Sequence, residues 1–248
     1  MSRFRLHATL MASICLLLVA SLSATFASAA TPANPVTARQ ATPATYSCDT
    51  VATPAATPAA TPAMAATPAT DQGAGTTALD FDQTYIDMML PHHASVIALS
   101  EAALPRLQNT ELQTIAMNII SSQAAELDEL SGLRQQFYGS TTPEPLDIVM
   151  NAMAQYMPAA HDLMMADMAM MDSAALVAEF CAQDDADLAF IDLVIPHHQS
   201  AIAASEAAMA QATHPEIREF ADGVIVAQQA EIEQMTSIQA MLTGTPAA

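Results

Sequence analysis

Sliding the sequence against itself by 105 positions aligns Asp82–Leu133 with Asp187–Ile238 without a gap, and 19 of the 52 aligned positions are identical. A duplicated unit must fold the same way twice, and its two copies have to pack against each other. Each copy has a first segment (Asp80–Leu104; Asp187–Met209), a short break (Pro105–Asn109; Thr213–Pro215) and a second segment (Thr110–Phe137; Glu216–Leu242). Apolar residues recur at three and four in every segment, and Ala, Leu, Met, Gln and Glu dominate, so all four are predicted helical. Two helical hairpins make a four-helix bundle, and the class is all-α. The repeats take up 80–139 and 185–242; the connector, 140–184, opens with Pro143 and Pro145 and is predicted to hold one or two helices packed along the bundle.

Both copies carry Pro-His-His on the first helix: Pro91-His92-His93 and Pro196-His197-His198. A helical wheel puts Met89, His93 and Ile97 on one line and Tyr85, Met88, His92 and Leu99 on the next, inside the apolar arc. Asp87 and Glu101, which recur as Asp192 and Glu206, fall on the far side and are predicted to face solvent. The apolar face of the second helix runs through Leu112, Ile115, Ile119, Leu127 and Leu130, with Gln123 and Glu126 in its middle; Gln228 and Glu231 repeat this. If the hairpin turns near Leu107, His92 stands level with the region of Gln123, so the buried polar residues of a copy meet at one height. Buried polar groups need partners. A lone histidine would read as a hydrogen-bonded core residue, but two imidazoles, an amide and a carboxylate, present twice, point to a metal or functional site. Pro91 and Pro196 each lack a helical donor, and the bend expected there would aim the histidines at the bundle axis, where the other copy can add ligands.

A second donor type lies in the connector. Met150, Met153, Met157, His161, Met164, Met168 and Met171 share a stripe at helical spacing, with Met165 beside it and Pro158 starting or kinking the helix. Such a stripe is equally a core face and a row of thioether ligands. Thioether sulfur suits Cu(I), and imidazole with carboxylate suits Cu(II) or Zn(II), so copper is the ion that would use both sets, with another transition metal as the alternative.

Ahead of the repeats the character of the chain changes. Residues 1–29 carry Arg3 and Arg5, an apolar run and a small-residue Ala-Ser-Ala site, and read as a secretory signal, with a retained anchor as the alternative. Residues 30–78 repeat Ala-Thr-Pro and read as a disordered spacer, leaving 79–248 as one domain. The expectation is an exported protein, periplasmic or at the cell surface, with no membrane insertion once the signal is cleaved. A net charge of −20 with six arginines and no lysine argues against nucleic acid as a partner. Cys48 and Cys181 could staple the spacer to the domain in an oxidising compartment; free thiols or an intermolecular bridge are the alternatives.

The run Phe190-Ile191-Asp192, then Ile195-Pro196-His197-His198 and Ala201-Ile202, then Gln228-Gln229-Ala230-Glu231-Ile232 and Met235, resembles a bacterial family of exported, ferritin-like helical domains of formerly unknown function that includes a periplasmic copper-binding protein. The resemblance covers Asp80–Leu242. It implies a ferritin-like four-helix fold, copper binding in tolerance and homeostasis, and His92, His93, His197 and His198 as candidate ligands together with methionines, among them Met88, Met89, Met150, Met153, Met157, Met164, Met165 and Met168, with His161. The second copy has no methionine at the positions of Met88 and Met89, and the first has Leu130 where the second has Met235, so the halves need not bind equally.

The expectation is therefore a binding protein for copper sequestration, tolerance or delivery, with a metal ion and a copper donor or acceptor protein as partners, and not an enzyme. One alternative is a ferritin-type metal-dependent oxidoreductase; its Glu-x-x-His pairs are missing, since no glutamate is followed three residues later by histidine. The other is a non-metal helical interaction module with pH-sensing histidines. No nucleophile elbow, phosphate loop or dinucleotide fingerprint is visible.

Overall fold

The computed structural model describes residues 46–51 and 78–244. The expected signal segment, and all of the expected spacer except residues 46–51 and 78, lie outside the described residues. Eight α-helices and one 3-10 turn are present, with no strand among the described residues. A short α1 (Cys48–Val51) is followed by the first hairpin, α2 (Phe81–Ala103) and α3 (Thr110–Tyr138). The connector forms α4 (Leu146–Tyr156), α5 (Pro158–Ala166), the 3-10 turn Met168–Met171 and α6 (Ser173–Cys181). The second hairpin is α7 (Ala186–Gln211) and α8 (Pro215–Thr243). The fold is the all-α, ferritin-like bundle that the repeat requires.

Local chemistry explains the boundaries. Asp80, Asn109 and Asp185 cap α2, α3 and α7 by accepting from backbone N–H groups of the first turn. Gly139 and Gly244 end α3 and α8 in the left-handed conformation, at φ 74° and 68°, where a Cβ would be strained. The connector departs from the expected one or two helices. Pro158 starts a new helix at its first position, and Asp167 and Asp172 each accept backbone N–H bonds that begin the next element, so the segment breaks into four short pieces.

The long helices pair within repeats, α2 on α3 and α7 on α8, and α2 packs on α7 across the centre, while α3 and α8 barely meet. The connector covers the rest: α4 and α6 lie against α2, and α5 against α7. Two equivalent acids lock the copies together. Asp82 accepts from Thr213 N and His214 N in the α7–α8 turn at 2.9 Å each, and Asp187 accepts from Gln108 N and Asn109 N in the α2–α3 turn at 2.8 and 3.0 Å. Each repeat thus ties down the turn of the other.

Asp87 corrects an expectation. It is buried, not solvent-facing: Arg134 of α3 grips both its oxygens at 2.5 and 3.1 Å, and the Glu144 N–H donates to it at 3.0 Å. Helix α2 has neighbours on several sides, so its polar far side is covered at Asp87. Glu101, Asp192 and Glu206 are exposed as expected. A Cys48–Cys181 disulfide joins α1 to the end of α6. Arg106 donates to the Gln183 and Phe180 carbonyls there and lies over the Phe180 ring. Among the described residues no helix is long and apolar enough to cross a membrane.

Candidate metal centre

Helical spacing delivers His92 and His93 from the middle of α2, and His197 and His198 from the middle of α7, and all four are fully buried. They divide into two kinds. His92 and His197 meet at the contact between α2 and α7, with ring centroids 3.7 Å apart. Each bonds to a serine of the other repeat: His92 Nε2 lies 2.8 Å from Ser200 Oγ, and His197 Nε2 lies 3.0 Å from Ser95 Oγ. His93 and His198 turn outward to a glutamate of their own hairpin. His198 Nε2 bonds to Glu231 Oε2 at 2.7 Å; His93 Nε2 approaches Glu126 Oε2 at 2.9 Å without hydrogen-bond alignment.

The expected meeting of polar groups at one height therefore occurs through His93 and Glu126, while His92 turns to the opposite copy instead of toward Gln123. Gln123 and Gln228 are buried, and neither amide oxygen nor nitrogen has a hydrogen-bond partner in the protein. The glutamates keep some contact with water, at 22% exposed for Glu126 and 15% for Glu231. The Nδ1 atoms of all four histidines are likewise buried without a partner. Such groups are costly to bury unless something satisfies them.

Burial, and then the charge the neighbouring imidazoles would carry, hold the pKa of His92 and of His197 well below the ordinary histidine value. Both are neutral at neutral pH, the form that binds metal. Tyr85 bonds to Ser205 at 2.8 Å across the repeats, and burial pushes its phenol pKa up.

The methionines sort differently. Met88, Met89, Met150, Met153, Met157, Met164 and Met171 pack in one apolar cluster with Tyr85 and Leu130. Met165, at 52% exposed, points to solvent on α5, and His161 is partly buried beside Asp162. Met168 lies in the 3-10 turn, so the stripe is split over three elements. The same turn touches the centre, since the Met170 carbonyl accepts from Ser95 Oγ at 2.6 Å. Among the described residues no group of three or more His, Cys, Asp or Glu side chains is placed to hold a metal ion. Neither the imidazoles nor the carboxylates are therefore preassembled around one point.

Ser95, Ser200 and Met170 were not singled out from the sequence. A usable signal existed for the serines, because each stands two residues after a His-His pair, in both copies.

Residues 82–239 match the family described as Domain of unknown function (DUF305). No curated protein matches the chain. Among solved structures, a DUF305 protein of Streptomyces coelicolor aligns with TM-score 0.53 and 18% identity, over 68% of this chain and 95% of that one. A DUF305 fragment from Deinococcus radiodurans aligns with TM-score 0.50 and 25% identity, over 65% and 96%. CopM in its Cu(I)-bound form aligns with TM-score 0.48 and 29% identity, over 63% and 93%; that protein is also known in Cu(II)-bound, Ag-bound and apo forms.

Proposed function

The chain belongs to the DUF305 family, and from that premise we propose that it is an exported copper-binding protein that sequesters or hands on copper rather than transforming a substrate. The observation that carries this reading is the set of four fully buried imidazoles, each with an unpartnered Nδ1, two of them stacked where the repeats meet, with the buried thioethers of Met88 and Met89 one turn earlier on α2. Imidazole is a ligand for both oxidation states of copper, and thioether favours Cu(I). No three His, Cys, Asp or Glu side chains are in place to hold an ion among the described residues, so on this reading the imidazoles re-aim or thioethers complete the set; the missing Glu-x-x-His pairs argue against a dinuclear carboxylate centre.

On this reading His92, His93, His197 and His198 supply the nitrogen donors. Met88, Met89, Met153, Met157 and Met164 are the buried thioethers on hand, and Met150 lies at the edge of the same cluster. Glu126 and Glu231 hold the outer imidazoles, and Gln123 and Gln228 offer amide oxygens. Copper, when bound, would be the charge these buried polar groups answer to. Exposed Met165 has no part in this set.

The deciding experiment is equilibrium dialysis of the chain against Cu(I) and Cu(II), with bound metal counted and unfolding followed. Uptake should raise stability, by about 2.7 kcal/mol at a free copper concentration one hundred times Kd. It should also vanish when His92, His93, His197 and His198 are all replaced by alanine. Uptake no greater than that of the fourfold variant would end the copper reading.

A further inference from the structure

Each axial histidine is met by one hydroxyl, and the single proton on that hydroxyl decides where the imidazole proton sits. Ser95 Oγ lies 2.6 Å from the Met170 carbonyl oxygen, 2.7 Å from that of His92 and 3.0 Å from His197 Nε2. A carbonyl only accepts, and a hydroxyl has one proton to give. Aimed at the ring, that proton would leave two carbonyl oxygens set lone pair to lone pair against Oγ at short range. Aimed at a carbonyl, it leaves Oγ an acceptor, and the ring nitrogen must be the donor. Ser200 has one carbonyl neighbour rather than two: Oγ lies 2.7 Å from the His197 carbonyl oxygen and 2.8 Å from His92 Nε2, and giving its proton to that carbonyl again leaves Oγ to accept from the ring.

We propose that Ser95 and Ser200 are positioning residues that act across the repeats, holding His197 and His92 as the tautomer protonated at Nε2, so that Nδ1 is the bare donor atom of each ring. Of the outer pair, His198 follows the same rule by another route. The Nε2 of His198 faces the Glu231 carboxylate, which accepts only, and its Nδ1 is again without a partner. Tautomer selection concerns the neutral rings, the form an imidazole takes above its ordinary pKa range. Fixing one ring nitrogen by a protein hydrogen bond orients the other toward a metal and raises its basicity. The identity of the ion at Nδ1 rests on the copper reading; the tautomer is a property of the chain itself.

Long-range proton–nitrogen NMR of the metal-free full chain, labelled with nitrogen-15 in histidine and held above the ordinary histidine pKa range, reads the tautomer directly. His92 and His197 should show the proton on Nε2 and a bare Nδ1. Ser95→Ala should disturb the pattern at His197 and not at His92, Ser200→Ala should do the reverse, and Ser→Thr at either position should restore it. Cu(I) affinity, measured by competition with a chelator, should fall about 10–100-fold for each alanine variant and recover with threonine.

A native spectrum with the proton on Nδ1 of either axial histidine overturns the proposal, even if the serine variants fail to fold. So does an unchanged tautomer in a folded Ser→Ala variant. If the native spectrum carries the pattern but the chain takes up no Cu(I), the copper reading falls and the tautomer assignment stands.

Discussion

The two halves of the bundle agree at the centre and differ around it. Both present His-His, the serine two residues on, the second-helix glutamine and the glutamate one turn later, in equivalent places, although only His198 is aligned on its glutamate and only Ser95 also reaches a connector carbonyl. One turn out, the likeness ends. Asp87 is buried under Arg134, whereas its counterpart Asp192 stays exposed and receives a bond from Gln239, which stands where Arg134 stands in the first copy. Tyr85 bonds to Ser205, whereas Phe190 has no hydroxyl, so Ser100 is buried with its oxygen unpartnered. Met88 and Met89 become Leu193 and Val194. The duplicated frame therefore requires the polar centre but not its surroundings, which is what a shared site inside two separately packed halves looks like.

The largest way to break the comparison is to give the first copy the chemistry of the second. Arg134→Gln leaves the Asp87 carboxylate buried with only the Glu144 N–H as a firm partner. Removing one member of a buried ion pair costs about 3–5 kcal/mol, and that loss should appear as a lower urea midpoint. The reverse change, Gln239→Arg, meets an exposed Asp192 and should move the midpoint little. Equal effects of the two substitutions would mean that the burial difference between Asp87 and Asp192 has no energetic weight.

Acid should test the part the halves share. His92 and His197 are held neutral by burial, with folded pKa values well below the unfolded one. Above about pH 6.5 these rings are neutral folded and unfolded, and contribute no slope. Below it the unfolded chain takes up protons that the fold refuses, so stability falls with falling pH until the lowered folded values are reached. The slope for two such groups is about 2.7 kcal/mol per pH unit at most. Urea titrations of the metal-free protein just below pH 6.5 measure it, and His92→Gln or His197→Gln should each reduce it by about half. Unequal reductions would show that the axial pair is not equivalent, for example because only His197 also lies near the Met170 carbonyl.

Much of this was legible in the sequence, for identifiable reasons. The four long helices follow from apolar spacing, while the caps that set their ends, Asp80, Asn109, Asp185 and Gly139, were not singled out although they act within a few residues of where they stand. The burial of the histidines follows from the same periodicity. Asp87 was misplaced because a wheel assigns one solvent face per helix, and α2 is packed by α3, α4, α6 and α7. The methionine stripe was read with one break, at Pro158, and Asp167 adds a second by capping the 3-10 turn. The serines recur two residues after each His-His pair, but their role was not legible: their partners lie 102 and 108 residues away, and no local pattern announces a bond between repeats.

The smallest expected effect sharpens the comparison at one oxygen atom. Tyr85→Phe makes the first copy like the second by leaving Ser205 as unpartnered as Ser100 already is. A buried hydroxyl that loses its partner costs about 1–3 kcal/mol. Phe190→Tyr offers Ser100 the bond that Ser205 has, and if the ring finds the same geometry the gain should be about 0.5–1.5 kcal/mol. The double variant would then exchange the two halves at this position and should fall between the single variants, near the native chain. Urea unfolding of all four proteins reads the cycle. A destabilising Phe190→Tyr would place the asymmetry in the shape around Phe190, where Leu112, Ile115 and Ile119 belong to the same apolar cluster, rather than in a missing hydroxyl.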